Sequence, residues 1–223
     1  IGVPPLANSS PYAWTIPDIL GNQGRVRVEN FADSNVGDSS DANFTVKGSI
    51  TVGVPNGGES WLVNTPHNIT WSKQGSLGNL TIKLSTDAGA SYPITVADDV
   101  ASGDLAYSWT VNDNIGSNAK VKLIQKTDTN IFDESNNIFT IAGEVTVTSP
   151  DGGEPLSIGG SHDVTWTKKG SIGNVKIEYS VDAGVTYPYT IVGSVNSALG
   201  TYAWTPIGNT PTTQGRVKIT SLS

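Results

Sequence analysis

Carboxylates are the side chains of this sequence with the clearest capacity for chemistry. They form two clusters along the chain, namely Asp33, Asp38 and Asp41, and then Asp128, Asp133 and Glu134. Oxygen-rich loops hold Ca²⁺, so these six residues are the candidate metal ligands. The alternative is a pair of solvated acidic loops in which Asp side chains cap turns. Their spacing is not that of an EF-hand, and we expect no other cofactor.

Two histidines and one tryptophan are the next candidates for ligand contact. His67 and His162 occupy equivalent positions, and neither has a Cys or a second His nearby with which to build a tetrahedral zinc site. Trp61 has Leu156 at its counterpart position, and an exposed Trp could stack on a sugar ring. We favour the alternative, in which Trp61 closes one end of the core.

Residues 85–92 and 180–187 resemble the Asp-box, Ser-x-Asp-x-Gly-x-Thr-Trp, with Tyr in place of Trp. In that turn Asp caps the backbone and Gly takes a positive φ. Sialidase propellers contain it, but a propeller needs repeats of about 40–50 residues. The arginines of a sialidase are not suggested either, because Arg occurs only at positions 25, 27 and 216. We therefore interpret both segments as structural hairpin turns.

Four asparagines fit the Asn-x-Ser/Thr pattern for glycosylation, namely Asn8, Asn43, Asn68 and Asn79. The last three lie on or beside predicted strands, with side chains that face away from the core. They are glycosylation candidates wherever the source organism has the machinery.

All these residues belong to a module that repeats with an offset of 95 residues. Pro-x-Gly-Gly-Glu occurs at 55–59 and 150–154, and Tyr-x-Trp-Thr occurs at 12–15, 107–110 and 202–205. Residues 1–48 match the C-terminal half of a repeat, 49–143 form a complete repeat, and 144–223 form a repeat without its last strand. The third unit carries one extra residue between Trp204 and Arg216.

Apolar residues alternate with period two through the complete repeat, as at Ile50, Val52 and Val54. This pattern predicts seven strands, each with one buried face. Seven short antiparallel strands in about 95 residues are typical of an immunoglobulin-like β-sandwich. Without a disulfide, Trp71 and Trp109 are expected to fill the space between the sheets. Connections of only three residues, 47–49 and 142–144, predict tandem domains in a stiff rod.

The last predicted strand of a unit carries Phe44 in the first unit and Phe139 in the second, and the third unit has no counterpart of it. Two interpretations stay open. The sequence is either a window on a longer repeat protein, which we favour, or a neighbouring subunit donates the closing strand to an open sheet edge.

Several spaced motifs together resemble one known family. They are Pro-x-Gly-Gly-Glu-x-Trp at 55–61, Ile-Thr-Trp at 69–71, Leu-Thr-Ile-Lys-Leu at 80–84, Tyr-x-Trp-Thr at 107–110 and the segment 133–141. This set is similar to the Kre9/Knh1-like module of the Ser-Thr-rich GPI-anchored family. The resemblance implies an extracellular immunoglobulin-like sandwich without catalytic residues, in tandem copies as in large secreted prokaryotic surface proteins.

Composition limits the classes of partner. The formal net charge is −7 and the sequence pI about 4.7, which argues against nucleic acid and against an anionic membrane surface. The sequence contains no run of 18 apolar residues and no cysteine. Its acidic, Thr-, Asn- and Gly-rich character is common among secreted microbial surface proteins, and we expect an extracellular or cell-surface location.

These observations favour a non-catalytic structural segment of an extracellular or cell-surface repeat protein, forming a filament, stalk or surface-layer component. Its expected partners are copies of itself or neighbouring repeats of a longer chain. The second hypothesis is an adhesin or a carbohydrate-binding accessory module, with glycans as partners. The third, a glycosidase, needs two facing carboxylates about 5–10 Å apart in a cleft, and repeated surface loops do not favour it.

Overall fold

The computed structural model describes residues 11–222, whose regular structure is β-strand apart from two short 3₁₀ turns, Ser102–Asp104 and Ser197–Leu199. This confirms the all-β prediction. Within that described range, no helix is long and apolar enough to cross a membrane.

The first unit contains four short strands in two antiparallel pairs. The strands are β1 Gly21–Gly24, β2 Arg27–Glu29, β3 Gly37–Ser39 and β4 Phe44–Val46, with β1 paired to β4 and β2 to β3. Trp14 is 43% exposed and Val28 72% exposed, whereas their counterparts Trp109 and Leu123 in the second unit are 3% and 0% exposed. The described part of the first unit therefore presents the inner face of half a sandwich.

The second unit contains nine strands. They are β5 Ser49–Val54, β6 Ser60–Leu62, β7 Pro66–Gln74, β8 Asn79–Ser85, β9 Ile94–Ala101, β10 Ala106–Thr110, β11 Gly116–Gln125, β12 Phe132–Glu134 and β13 Phe139–Ala142. One sheet has the order β10-β7-β5, and the other has the order β6-β13-β11-β8-β9 with β12 also paired to β11. All pairings are antiparallel except the parallel pair of β13 and β6.

The prediction of seven strands is wrong by two, because β6 and β12 are only three residues long. So short a segment shows too little alternation to be recognised as a strand. Both strands extend the larger sheet, β6 alongside β13 and β12 alongside the end of β11. The two-sheet sandwich itself is as predicted.

The core of the second unit lies between its two sheets. Trp71 and Trp109 are 4% and 3% exposed and pack with aliphatic residues of β8 and β11. The Trp71 indole N–H donates to the carbonyl of Ser102 at 2.9 Å, which satisfies its buried polar group. Leu20 of the first unit packs against this same cluster.

The third unit repeats this arrangement with strands β14 Glu144–Ser149, β15 His162–Lys169, β16 Asn174–Ser180, β17 Tyr189–Asn196, β18 Thr201–Trp204 and β19 Arg216–Ser221. Its sheets have the orders β14-β15-β18 and β17-β16-β19, around a separate core that includes Trp166 and Trp204. Among the described residues β19 pairs with β16 alone, whereas its counterpart β11 also pairs with β12 and β13.

Candidate functional site

The Pro-x-Gly-Gly-Glu segment is a self-capped turn in both repeats. The backbone N–H groups of Asn56 and Gly57 donate to the two carboxylate oxygens of Glu59, each at 2.8 Å. Burial acts to raise the pKa of Glu59, but the backbone donors of Asn56, Glu59 and Gly57 outweigh it and lower the pKa. Glu154 makes the equivalent bonds in the third unit. This repeated glutamate therefore holds a turn.

The Asp-box-like segments are also turns held by their own side chains. The Ser85 hydroxyl donates to Asp87 at 2.6 Å, and Asp87 accepts from the backbone and hydroxyl of Ser91 at 2.9 and 2.6 Å. These donors, the Ser85 hydroxyl foremost, lower the pKa of Asp87 to about 2. Asp182 makes the same contacts and its pKa is also lowered to about 2. Both segments thus have the geometry of the structural hairpin turn.

The acidic residues of the second-unit cluster accept hydrogen bonds from different donors. Asp133 and Glu134 are adjacent on β12 and face opposite sides, so they do not converge on one ion. Asp133 accepts from the backbone N–H of Val52 at 2.8 Å, and Glu134 accepts from the Tyr92 hydroxyl at 2.9 Å. Asp128 accepts from the backbone and side chain of Asn130.

The first-unit cluster has a similar arrangement. Asp33 accepts from the backbone and side chain of Asn35, while Asp38 lies in β3 and Asp41 in the exposed turn before β4. Within residues 11–222, no three His, Cys, Asp or Glu side chains form a group that could hold a metal ion. The calcium site therefore stays a prediction from sequence without geometric support.

Trp61 lies in the core and is 6% exposed. Its ring stacks on His67 with centroids 4.6 Å apart and makes edge or tilted contacts with Trp109 and Phe139. His67 covers one face of the ring, and the burial of Trp61 leaves little surface on which a sugar could stack. His162 has Leu156 instead of this Trp nearby, and its Nε2 lies 3.0 Å from the Ser149 hydroxyl.

The candidate glycosylation residues lie on the surface where the structure describes them. Asn68 is exposed on β7, Asn79 donates to Asp99 at 3.1 Å, and Asn43 accepts from the Arg25 side chain at 2.9 Å. Asn8 lies outside the described residues. Modification of these four residues stays a prediction.

The junctions between units contain a contact that sequence reasoning missed. Asp18 of the first unit accepts from the backbone N–H and hydroxyl of Ser76 at 2.9 and 2.6 Å. Asp113 of the second unit accepts from the same two groups of Ser171 at 3.0 and 2.5 Å. In each pair the partners are 58 residues apart, and both pairs obey the 95-residue offset. We call this contact the junction clamp.

Hydrogen bonds from Ser76 and Ser171, the hydroxyl first and then the backbone N–H, lower the pKa values of Asp18 and Asp113. Lys73 and Lys168 add smaller favourable charge interactions to the two carboxylates. The junction clamp is therefore a carboxylate held in its ionised form by the next unit.

A glycine makes the close approach at each junction possible. Gly170 has a φ of +85°, and a Cβ there would lie 2.7 Å from Val63 and 2.8 Å from Ile115 of the preceding unit. Gly75 has a φ of +82°, and a Cβ would lie 3.2 Å from both Asp18 and Leu20. A side chain at either position would strain the backbone and separate the units. The sequence signal for the junction clamp was a Gly-Ser pair that repeats in the β7–β8 and β15–β16 turns, together with the repeated Asp18 and Asp113.

The third unit has a neutral residue at the clamp position. Ile207 exchanges backbone hydrogen bonds with residues 159 and 160, as Val111 does with residues 64 and 65. The extra residue of this unit therefore lies at Pro206, and the counterpart of Asp113 is Asn209. Ile158, the counterpart of the fully buried Val63, is 52% exposed.

The surface depressions of the described residues are shallow. One of about 170 Å³ is lined by Thr86, residues 114–116, Asn118 and Ala119, and one of about 410 Å³ by residues 19–24 and Val46. Neither lining includes an ionisable side chain. The best-organised polar geometry between units is the junction clamp, which can hold two modules together.

No family model matches the sequence, and no curated protein matches it. Among solved structures, the chain is similar to the fibronectin(III)-like modules of Clostridium thermocellum CbhA, at 15% identity over 71% of this chain and 79% of that chain, with a TM-score of 0.26.

Proposed function

We propose that this chain is a non-catalytic structural segment of an extracellular or cell-surface repeat protein, one that forms a filament, stalk or surface-layer component. The observation that carries the proposal is the junction clamp, which occurs at the same positions in two successive junctions. A contact that recurs with the repeat sets one geometry between neighbouring modules, which is what a stiff rod requires.

Apolar contacts support the clamp. Leu20 packs against the core of the second unit, and Gly143 lies between Ile115 of the second unit and Ile172 of the third. Connections of three residues leave little slack to separate these surfaces. Neighbouring repeats, in this chain or in a longer one, are therefore the partners that the proposal requires.

The extracellular location and the Kre9/Knh1-like family belong to the same proposal. They are supported by the spaced motifs, all of which have structural roles here: the Glu59 turn, the core tryptophans and the 133–141 segment. The adhesin alternative relied on Trp61 as the ring that stacks on a sugar, and Trp61 is buried.

Distances between spin labels on neighbouring modules test whether the modules keep one fixed orientation, as a stiff rod requires. The chain has no cysteine, so Ser108→Cys and Ala203→Cys place labels at equivalent exposed strand positions of the second and third units. We expect one narrow distance distribution, which broadens in Asp113→Ala and Ser171→Ala. Asp104→Ala removes an exposed carboxylate at the other end of the second unit and is the control.

A broad distribution in the unsubstituted chain would mean that the modules reorient freely and would contradict the rod. Binding of the unsubstituted chain to a neutral glycan, with a broad distribution, would favour the adhesin. Electron micrographs of the native material then show whether the rods assemble into fibres or lattices, as the structural role predicts.

A further inference from the structure

Each unit carries one copy of a basic-Val-basic motif. The copies are Arg25-Val26-Arg27, Lys120-Val121-Lys122 and Arg216-Val217-Lys218, and they contain six of the 13 Lys and Arg residues of this acidic chain. Val121 is fully buried in the core. Because neighbouring residues of a strand face opposite sides, the flanking Lys120 and Lys122 lie on the outer face of the larger sheet.

Three lysines, Lys83, Lys120 and Lys122, lie close together on the outer face of the second unit. The acidic pair Asp98 and Asp99 of β9 is paired with a fourth, Lys126. Lys122 of β11 lies directly opposite Lys83 of β8 on one side and opposite Glu134 of β12 on the other. The ammonium groups of Lys120 and Lys122 are both 3.9 Å from the Glu134 carboxylate. One carboxylate therefore lies between two lysines, and the third, Lys83, donates to the Thr95 hydroxyl at 2.9 Å. Like charges in directly opposed strand positions destabilise a sheet, so the sequence keeps Lys83 and Lys122 together at a cost in stability.

Aromatic rings border these charges. The Lys122 ammonium lies 3.8 Å from the ring centroid of Phe132 and 5.4 Å from that of Tyr92. Phe132 is 48% exposed. Tyr92 is the last residue of the Asp-box-like turn, whose hydrogen bonds place it against Glu134. The turn thus has a second effect, which is to bring an aromatic ring to the basic pair.

The third unit repeats the arrangement with different residues. The Lys218 ammonium lies 4.4 Å from the centroid of Tyr187, again the last residue of the Asp-box-like turn. Lys176 and Lys218 share the Glu178 carboxylate at 2.5 and 3.3 Å, and Arg216 is exposed beside them. Basic groups, a shared carboxylate and a tyrosine therefore occur together in both the second and the third unit. We call the two clusters together the basic face.

We propose that the basic face binds an anionic polysaccharide, one that carries uronate or sulfate groups. Lys and Arg would donate charge-assisted hydrogen bonds to those groups, and the exposed ring of Phe132 and the neighbouring tyrosines would pack against sugar rings. Weak sites that recur along one chain are suited to a polymeric ligand, because the second contact forms at high effective concentration. This inference goes beyond the structural role and does not depend on it.

A second copy of this chain fits the basic face less well. The acidic residues that repeat, such as Asp87 and Asp182, are used inside their own turns. The exposed pair Asp98 and Asp99 has Gly193 and Ser194 as its counterparts in the third unit. Another copy therefore offers no acidic row with the period of the basic face, whereas a polyanion carries charge along its whole length.

The test uses the whole chain and two immobilised polymers, polygalacturonate and an uncharged glucan. We expect binding to polygalacturonate that weakens by about tenfold between 50 and 200 mM salt, as release of counterions at about two charge contacts requires. We expect the double variant Lys122→Gln/Lys218→Gln to bind about tenfold more weakly. The matched control, Lys47→Gln/Lys169→Gln, removes two exposed lysines away from the face and should bind within twofold of the parent.

A further variant separates sugar recognition from charge alone. Phe132→Thr removes an exposed ring without changing charge, and should weaken binding to polygalacturonate while it leaves any binding to duplex DNA unchanged. Circular dichroism of every variant must match the parent spectrum.

Three results would overturn the proposal. They are no binding to polygalacturonate at low salt, equal losses in the basic-face and control variants, or binding to duplex DNA as tight as to the polysaccharide. Salt-sensitive self-association in sedimentation experiments, abolished by Lys122→Gln/Lys218→Gln, would assign the face to another copy instead.

Discussion

At the scale of single residues, the carboxylates of this protein act mainly on its own backbone. Asp87, Asp182, Glu59 and Glu154 each accept hydrogen bonds from nearby backbone N–H groups, and each pKa lies below its ordinary value. These four carboxylates are therefore engaged in holding turns. Hydrogen bonds that favour the charged form of a carboxylate make these turns depend on its ionisation.

The Asp-box-like turns should resist acid. The pKa of Asp87 and of Asp182 falls from 3.8 to about 2, so their contribution to stability is complete above 3.8 and is lost as the pH falls through about 2. NMR titration of the side-chain carboxyl carbons should find both midpoints near 2, with the Ser91 amide protected until that pH. Asp87→Asn should remove this protection at neutral pH, and a midpoint near 3.8 in the parent would show that the turn is not formed.

At the scale of elements, the cores of the second and third units differ at one end of the sandwich. Trp61 on β6 fills that end in the second unit through ring contacts with His67, Trp109 and Phe139, whereas the third unit has the partly buried Leu156. Beside this end, the buried Ser135 hydroxyl joins the carbonyl of Pro55 to the backbone N–H of Val121. The short strands β6 and β12 thus close the second unit although they add few ladder bonds.

Truncation of Trp61 measures how much its packing at this end of the core contributes to stability. Trp61→Ala should lower the free energy of unfolding of the second unit by about 3–5 kcal/mol, because it empties a large buried volume. Leu156→Ala, the matched change in the third unit, should cost less because Leu156 is only partly buried. Urea unfolding followed through resolved amide signals separates the two units. Equal losses at the two positions would show that Trp61 contributes no more packing than its aliphatic counterpart.

At the scale of the whole molecule, the junction clamp fixes the orientation of one module relative to the next. Its two copies join residues of different units through one carboxylate and one serine. Because the acceptor is a carboxylate, the clamp should depend on pH. The third unit has Asn209 at this position, and an amide does not titrate.

The coupling between the second and third units should weaken in acid. The pKa of Asp113 lies below its ordinary value of 3.8, so the clamp is fully formed above 3.8 and is lost as the pH falls through the lowered pKa. Labels at positions 108 and 203 should then report a distance distribution that broadens only below 3.8. Asp113→Asn should remove this dependence, and a parent distribution that stays narrow in acid would assign the stiffness to the apolar contacts alone.

The sequence by itself determined the repeat, the second-unit strands longer than three residues, the two turns and the Trp-filled sandwich. These features depend on local alternation and on hydrogen bonds between near neighbours, and such signals are present in any short window of sequence. Both the Glu59 turn and the Asp87 turn are of this kind.

Only the tertiary structure decided which of these residues meet. Asp113 and Ser171 are 58 residues apart, and Tyr92, Lys122 and Glu134 come from a turn and two strands. The burial of Trp61 against His67 and Phe139 likewise depends on how the β-sandwich closes. Contacts of this range are set by the packing of whole sheets and modules, and the residues around either partner do not show which residue it will meet.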